Sequence, residues 1–221
     1  GIEITARVAE TLGFSTTGSF AGVGDPGTTC DPVSGSGAIT LGDPTENTLA
    51  IDSAYDNYSA FRIYTNASGG VAVQYHGDTL RRNPTSDINA IGAPALSIPG
   101  TEQFGLAIDT VSGGNDVAPT PVTITSSAST LPFQYVNDAA GLAADGALTP
   151  EANYDGGSGT INGGGHTAEF AYVADTPTTI ATSTGYVECK TAAVRYIGNI
   201  SPTTSSGSYT TTVVYSAVPT Y

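Results

Sequence analysis

The sequence predicts an all-β fold: an antiparallel, immunoglobulin-like or jelly-roll-like β-sandwich with long loops and an extended N-terminal strand. Short segments rich in β-branched and aromatic residues recur along the 221 residues, with Gly, Pro, Asn and Ser between them. Their spacing corresponds to about ten to thirteen strands, the pattern of a sandwich or barrel. No strand–helix alternation indicates a parallel sheet, and only the alanine-rich residues 137–147 are a helical candidate. The length is enough for one domain with a substantial core.

Residues 1–14 alternate in a way that is typical of a strand buried on one face. The apolar positions of the alternation are Ile2, Ile4, Ala6 and Val8. In one interpretation this segment is the first strand of the domain's own sheet. In the other it is lent to a neighbouring copy and extends that copy's sheet by β-strand addition. We therefore divide the chain into a donor strand with a hinge at Gly13, residues 1–14, and a single β-sandwich domain, residues 15–221.

Further along the chain, the strongest pattern is a pair of branched and aromatic runs at residues 58–65 and 71–76, with turn residues between them. This pattern predicts a β-hairpin. Residues 101–109 alternate again. Residues 15–37 are predicted to form a loop, and residues 77–100 lack periodicity. Additional strand candidates lie at residues 122–125, 132–136, 166–173, 178–181, 186–197 and 208–218.

The charge balance narrows the choice of partners. Six basic and 20 acidic residues give a formal charge of −14. Such a surface repels nucleic-acid phosphates and anionic lipid, so we exclude both as partners. No segment approaches the roughly 20 apolar residues of a membrane-spanning helix. Because the sequence does not begin with Met, we expect a secreted protein whose signal peptide has been removed.

The two cysteines, Cys30 and Cys189, have no metal-ligand spacing. In a secreted chain they are most simply one disulfide, which is worth about 4 kcal/mol in the entropic model. The alternative is two buried free thiols. Three Asn-X-Ser triplets, at Asn57, Asn66 and Asn199, are candidate glycosylation sites. Together with the low lysine content they indicate an extracellular location.

Both ends of the chain resemble one protein family. Residues 202–215 (PTTSSGSYTTTVVY), with Tyr221 as the last residue, resemble the closing strand of fimbrial β-sandwich subunits. The alternating N-terminal segment followed by Cys30 is similar to those subunits too. Residues 79–91 and 99–106 resemble uncharacterised, pilin-like secreted surface proteins of bacteria. The resemblance implies a cell-surface filament subunit in which the N-terminal strand completes the next subunit's sheet, so that its partners are copies of itself in a helical homopolymer.

No catalytic constellation is visible. His76 and His166 are the only histidines, and we interpret both as ordinary strand residues. We expect no enzyme activity, no cofactor and no metal. Besides the filament subunit, two hypotheses stay open. One is a monomeric adhesin or carbohydrate-binding module with a host-surface or glycan ligand. The other is a secreted hydrolase. Strand tyrosines that could line a sugar-binding face are Tyr58, Tyr64, Tyr75, Tyr172, Tyr196 and Tyr209.

Overall fold

The computed structural model describes residues 5–18, 23, 30–108, 133–135, 148–157, 161 and 167–221. Within these ranges the chain is almost entirely strand and loop, with one short 3-10 turn at Ala152–Tyr154. The strands are β1 (Leu12–Thr17), β2 (Tyr55–Thr65), β3 (Val71–Gly77), β4 (Arg81–Asn83), β5 (Ser86–Asp87), β6 (Gly92–Leu96), β7 (Gln103–Ile108), β8 (Phe133–Tyr135), β9 (Thr149–Pro150), β10 (Glu169–Tyr172), β11 (Thr178–Ser183), β12 (Val187–Asn199) and β13 (Val213–Pro219).

The larger sheet is organised around β12. Its order is β1-β2-β12-β7-β10-β6, and every pairing in it is antiparallel. One side of β12 pairs with β2 from Val187↔Thr65 to Gly198↔Tyr55. The other side pairs first with β8 and then with β7, so these two short strands lie along the same edge of β12. The longest strand of the sheet is therefore also its central one.

The smaller sheet has the order β13-β3-β11-β9 and is also antiparallel. A separate two-stranded ladder, β4–β5, lies beside it, joined to the residues before β13 by an isolated bridge between Arg81 and Thr210. The two main sheets pack face to face. This arrangement confirms the predicted all-β sandwich.

The main core lies between the two sheets. Alternate residues of β2, β7 and β12 face it from the larger sheet, and alternate residues of β3 face it from the smaller one. Their buried side chains are Phe61, Ile63, Phe104, Leu106, Ile108, Ala192, Val194, Tyr196, Val71, Val73 and Tyr75. This is the period-two burial that strands impose on one face.

The opposite face of the larger sheet is buried as well, and it holds an ion pair. Nε of Arg195 donates to Oδ2 of Asp56 at 2.7 Å, and Nη1 donates to the carbonyl of Gly157 at 2.8 Å. The guanidinium also lies 5.7 Å from the ring centroids of Tyr58 and Phe170. The charge is therefore paired, hydrogen-bonded and sandwiched between aromatic rings, as a buried charge must be.

The predicted disulfide is confirmed. Cys30 and Cys189 are bonded, with their Cα atoms 5.7 Å apart and a sequence separation of 159. The bond fastens the segment after Cys30 to β12. On the neighbouring strand β2, Nη1 of Arg62 donates to the carbonyl of Asp31 in the same segment. A disulfide is compatible with an extracellular protein, because such bonds persist in oxidising compartments.

The predicted hairpin is wrong. The runs at residues 58–65 and 71–76 are indeed strands β2 and β3, but they do not form a hairpin with each other. β2 belongs to the larger sheet and β3 to the smaller one. The turn between them has Gly70 at φ +91° and carries the chain across the edge of the sandwich. Turn residues between two strand patterns do not distinguish a hairpin from such a crossing.

The first strand is also displaced from its predicted position. β1 begins at Leu12 and pairs with β2 to Thr17, so residues 15–17 belong to a strand and Gly13 lies within it rather than at a hinge. The ring of Tyr64 lies over Gly13, and a Cβ at position 13 would displace that ring from its observed place. Residues 77–100, predicted to be irregular, contain β4, β5 and β6. The predictions at residues 122–125 and 137–147 lie outside the described residues.

Candidate assembly surface

The described residues before β1 are exposed from residue 5 to residue 10, and we use the name arm for the sequence segment 1–10. From residue 5 to residue 10 the arm has no strand assignment, and each of these residues is exposed. Of the four predicted donor positions, Ala6 and Val8 lie in this described part, and the Val8 side chain is 83% exposed. Ile2 and Ile4 lie outside the described residues. Ala6 and Val8, the two described donor positions, are therefore not buried in the subunit's own sheets.

The arm is attached to the domain by the side chain of Asn66, in the turn after β2. Nδ2 of Asn66 donates to the carbonyl of Ala9 at 2.7 Å, and the backbone N–H of Thr11 donates to Oδ1 of Asn66 at 2.8 Å. The hydroxyl of Thr65 donates to the carbonyl of Thr11 at 2.9 Å. We call this set of contacts the Asn66 clamp. It marks the point at which the arm leaves the domain.

A strand with one unpaired edge, β13, closes the smaller sheet. β13 pairs with β3 along its whole length, and no described strand pairs with its other edge. Beyond the strand, the N–H of Thr220 donates to the carbonyl of Gly70, so even-numbered residues direct their backbone groups toward β3. The odd-numbered residues then direct theirs to the free edge. Pro219, which has no N–H to pair, is one of these.

The side chains of β13 alternate between facing the core and facing solvent, and the core-facing ones belong to the odd-numbered residues. Val213, Tyr215 and Ala217 face the core but are only half-buried. The core-facing residues of β3, by contrast, are fully buried. Phe14 on β1, the edge strand of the larger sheet, is half-buried as well and stacks against Phe61 at a centroid distance of 5.9 Å. Since β1 runs close to β13, the core is incompletely covered along this side of the sandwich, which we call the open seam.

Tyr215 joins the two sheets at the open seam. Its hydroxyl is hydrogen-bonded to the hydroxyl of Tyr196 on β12, which also lies 3.2 Å from the hydroxyl of Ser59 on β2. Burial raises the pKa of Tyr215 well above its usual value, and the neighbouring Tyr196 raises it further. Both hydroxyls therefore stay protonated at physiological pH and act as hydrogen-bonding groups rather than charges.

The strand tyrosines do not form a sugar-binding face. Tyr58, Tyr75, Tyr172 and Tyr196 are all buried. The hydroxyl of Tyr75 lies 3.0 Å from that of Tyr154, and Tyr172 donates to the carbonyl of Asp78. Among the six residues considered, only Tyr64 and Tyr209 are partly accessible. The predicted aromatic platform is therefore mostly a set of core residues with satisfied hydroxyls.

The three candidate glycosylation sites differ in accessibility. Asn199 is fully buried, with its carboxamide 3.0 Å from Ser97 Oγ and 2.8 Å from Gln103 Oε1, so a sugar does not fit there and we withdraw this candidate. Asn57 is half-buried and donates to the carbonyl of Thr40. Asn66 is exposed, but its nitrogen is the atom that holds Ala9.

Metal-binding groups, accessible histidines and membrane-spanning helices are few or absent in the described part of the chain. No group of three His, Cys, Asp or Glu side chains there is arranged to hold a metal ion. His76 is exposed on β3, and His166 lies outside the described residues. Within the same ranges, no helix has the length and apolar character needed to cross a bilayer.

Comparisons with protein-family models, with curated proteins and with solved structures found no match to this chain.

Sequence reasoning identified the arm but missed the features around it. The alternation of apolar residues indicated a strand that could pair elsewhere. The free edge of β13 depends on strand order, which the sequence does not display. The contacts of Asn66 with Ala9 and Thr11 were not predicted, because the Asn-X-Ser triplet at Asn66 suggested glycosylation instead.

Proposed function

We propose that the protein is a structural subunit of an extracellular filament, in which the arm of one copy adds as a strand to the free edge of β13 in the next. The single observation that carries the proposal is the contrast between the sequence pattern of the arm and its exposure in the subunit. Its residues alternate like those of a buried strand, yet the described residues 5–10 are exposed and belong to no strand of the described part of the subunit. A donated strand would satisfy both the side chains and the backbone groups of this segment.

The free edge of β13 offers what such a strand requires. Its outward backbone groups come from residues whose side chains face the half-buried core. A strand added there places its own inward side chains in the same row. The arm would supply Ile2, Ile4, Ala6 and Val8 for this row, and the seven residues 2–8 equal the length of β13. The added strand would thereby finish covering the open seam.

This contact is head-to-tail, because the arm and the β13 edge are different surfaces of the subunit. Heterologous contacts of this kind form an open chain of subunits unless their rotation closes a ring. An unpaired apolar edge is also a hazard for uncontrolled association, which natural sheets normally avoid. β13 also exposes Val214 and Val218 on its outer face, and Tyr221 follows it. In the filament, the arm of the neighbouring copy would pair with this edge, so the free edge of β13 would serve as the acceptor for assembly.

The experiment is a complementation test with two full-length variants. Ala6→Asp with Val8→Asp places charges on the inward row of the arm but leaves β13 intact. Ala217→Pro removes an N–H from the free edge, while the pairing with β3 uses the neighbouring even-numbered residues. Ala217→Ser, which keeps the N–H, is the matched control. Negative-stain electron microscopy and light scattering measure the assembly.

We expect filaments from the unmodified protein and from Ala217→Ser, and monomers from each of the two defective variants alone. An equimolar mixture of the defective variants should stop at pairs, because it contains one working arm and one working edge per pair. Filaments from Ala217→Pro would exclude β13 as the acceptor. Folded monomers from the unmodified protein at all concentrations would contradict the filament proposal.

The alternative function, a monomeric adhesin or carbohydrate-binding module, loses its main structural support because the strand tyrosines are mostly buried. It would regain support if the unmodified protein stayed monomeric and bound immobilised glycans. We propose no enzymatic activity, since no catalytic constellation was found in the sequence.

A further inference from the structure

The Asn66 clamp uses both polar groups of one carboxamide, one on Ala9 of the arm and one on Thr11, the residue between the arm and β1. The nitrogen donates to the carbonyl of Ala9, and the oxygen accepts from the N–H of Thr11. The pairing of β1 with β2 ends at Leu12↔Thr65, immediately next to these contacts. The clamp therefore continues the ladder to Ala9, three residues beyond Leu12 of the last strand pair.

A carboxamide is suited to this because it carries the same donor and acceptor as a peptide group. At Asn66 the main chain turns away toward Gly70 and β3, where the N–H of Gly70 donates to the carbonyl of Ala67. The Asn66 backbone N–H still donates to the carbonyl of Thr11 at 3.3 Å. The side chain then replaces the peptide group that a longer β2 would have provided. Aspartate would lack the donor and place a negative charge against the carbonyl of Ala9.

From this geometry we infer that Asn66 is the positioning residue of the arm. It fixes the chain up to Ala9, so that the segment free to reach a neighbour ends at Val8. The Val8 side chain, 83% exposed, is the first apolar group beyond the clamp. The clamp is a property of the single subunit, and its use in aligning a donated strand rests on the proposed function.

The test compares Asn66→Ala and Asn66→Asp with Ser68→Ala in the full-length protein. Ser68→Ala is the matched control, because it abolishes the same glycosylation triplet but leaves the carboxamide in place. Two measurements are made on monomers: amide hydrogen exchange at Thr11, and the rate of trypsin cleavage after Arg7, the basic residue of the arm. Mass spectrometry assigns the cleavage site. Exchange of β12 amides reports whether the domain stays folded.

We expect Thr11 exchange to accelerate about fivefold in Asn66→Ala, the effect of losing one hydrogen bond of ordinary strength. In Asn66→Asp the carboxylate still accepts from the Thr11 N–H, so the acceleration at Thr11 should be smaller, while the contact with the carbonyl of Ala9 is lost. Cleavage after Arg7 should accelerate too, because the protease must bind the residues that follow it in extended form. β12 exchange and Ser68→Ala should match the unmodified protein. Unchanged Thr11 exchange and cleavage in Asn66→Ala would overturn the inference.

Assembly of the same variants separates this inference from the filament proposal. If the unmodified protein forms filaments, Asn66→Ala should nucleate them more slowly than Ser68→Ala. Equal assembly of the two variants, despite faster exchange at Thr11, would overturn the positioning role. If the unmodified protein forms no filaments, the filament proposal fails, and the exchange and cleavage measurements alone decide whether Asn66 fixes the arm.

Discussion

Nε of Arg195 donates to Oδ2 of Asp56 over 2.7 Å, and both side chains are 1% exposed. The pair lies on the face of the larger sheet that points away from the smaller sheet, and it links β12 to β2. Removing one partner would leave the other charge buried without its counter-ion, which is far more costly than losing an exposed pair.

We expect Arg195→Met to lower the free energy of unfolding by about 3–5 kcal/mol, because Asp56 keeps its buried charge. Replacing both residues by apolar ones should recover a large part of this loss. Arg81→Ala is the control, since Arg81 lies 2.8 Å from Asp78 in a pair that is 40% and 30% exposed. Its removal should cost at most about 1 kcal/mol. Urea denaturation measures each value, and equal losses at the two sites would refute the argument.

The disulfide should contribute strongly to stability because it closes a loop of 159 residues. Replacing both Cys30 and Cys189 by alanine is expected to cost about 2–5 kcal/mol, chiefly by releasing the unfolded chain. The unmodified protein under reducing conditions should show a similar loss. If the reduced protein and the alanine variant were as stable as the oxidised protein, the segment after Cys30 would be held by its hydrogen bonds alone.

Three buried tyrosines and the half-buried Tyr215 predict a loss of stability at high pH. Burial is the main cause that raises the pKa of Tyr154, Tyr172, Tyr196 and Tyr215 above the usual value of about 10. The unfolded chain therefore releases these protons first as the pH rises. Stability is fully present below pH 10 and falls above it, as far as the raised pKa values of the folded state.

Ultraviolet titration tests this prediction directly. The native protein should show fewer than its 12 tyrosines ionising at pH 11, and the rest should ionise only as it unfolds. Tyr215→Phe should make the decline of stability above pH 10 shallower. Ionisation of all tyrosines together near pH 10, without unfolding, would be the contrary result.

Two glycines with positive φ allow steric overlap to be separated from backbone strain. Gly92 has φ +74° and open space around it, whereas a Cβ on Gly70, at φ +91°, would overlap the carbonyl oxygen of Ser183. Gly92→Ala should cost about 1–2 kcal/mol for the left-handed backbone. Gly70→Ala should cost a further ~1–3 kcal/mol from overpacking. Thermal denaturation compares the stability of the two variants. Similar losses of stability would mean that the structure around Gly70 relaxes easily to accommodate the added Cβ.

The strands themselves were largely predictable from the sequence, because β-branched and aromatic runs fit a half-buried pleated surface. Residues 101–109 contain β7, and residues 186–197 lie almost wholly within β12. β6 escaped notice because it is an edge strand with the sequence Gly-Ala-Pro-Ala-Leu, which has low strand propensity. Partners were not predictable, since which sheet β3 joins depends on tertiary packing.

The candidate site was predictable only on its donor side. The alternation at Ala6 and Val8 is a local property of the sequence, and it singled out the arm. The free edge of β13 and the Asn66 clamp are relationships between distant segments. Asn66, for example, holds Ala9 across 57 residues of chain. No local pattern indicates such a contact.

The central position of β12 has a consequence for biosynthesis. β12 comes late in the sequence, yet it is the strand on which β2, β7 and β8 align. Before residues 187–199 are synthesised, β2 has only β1 of its two strand partners, and Cys30 lacks its disulfide partner Cys189. Contacts between residues so far apart in sequence also make folding slow. The nascent polypeptide is therefore expected to remain without its main sheet until β12 has been synthesised.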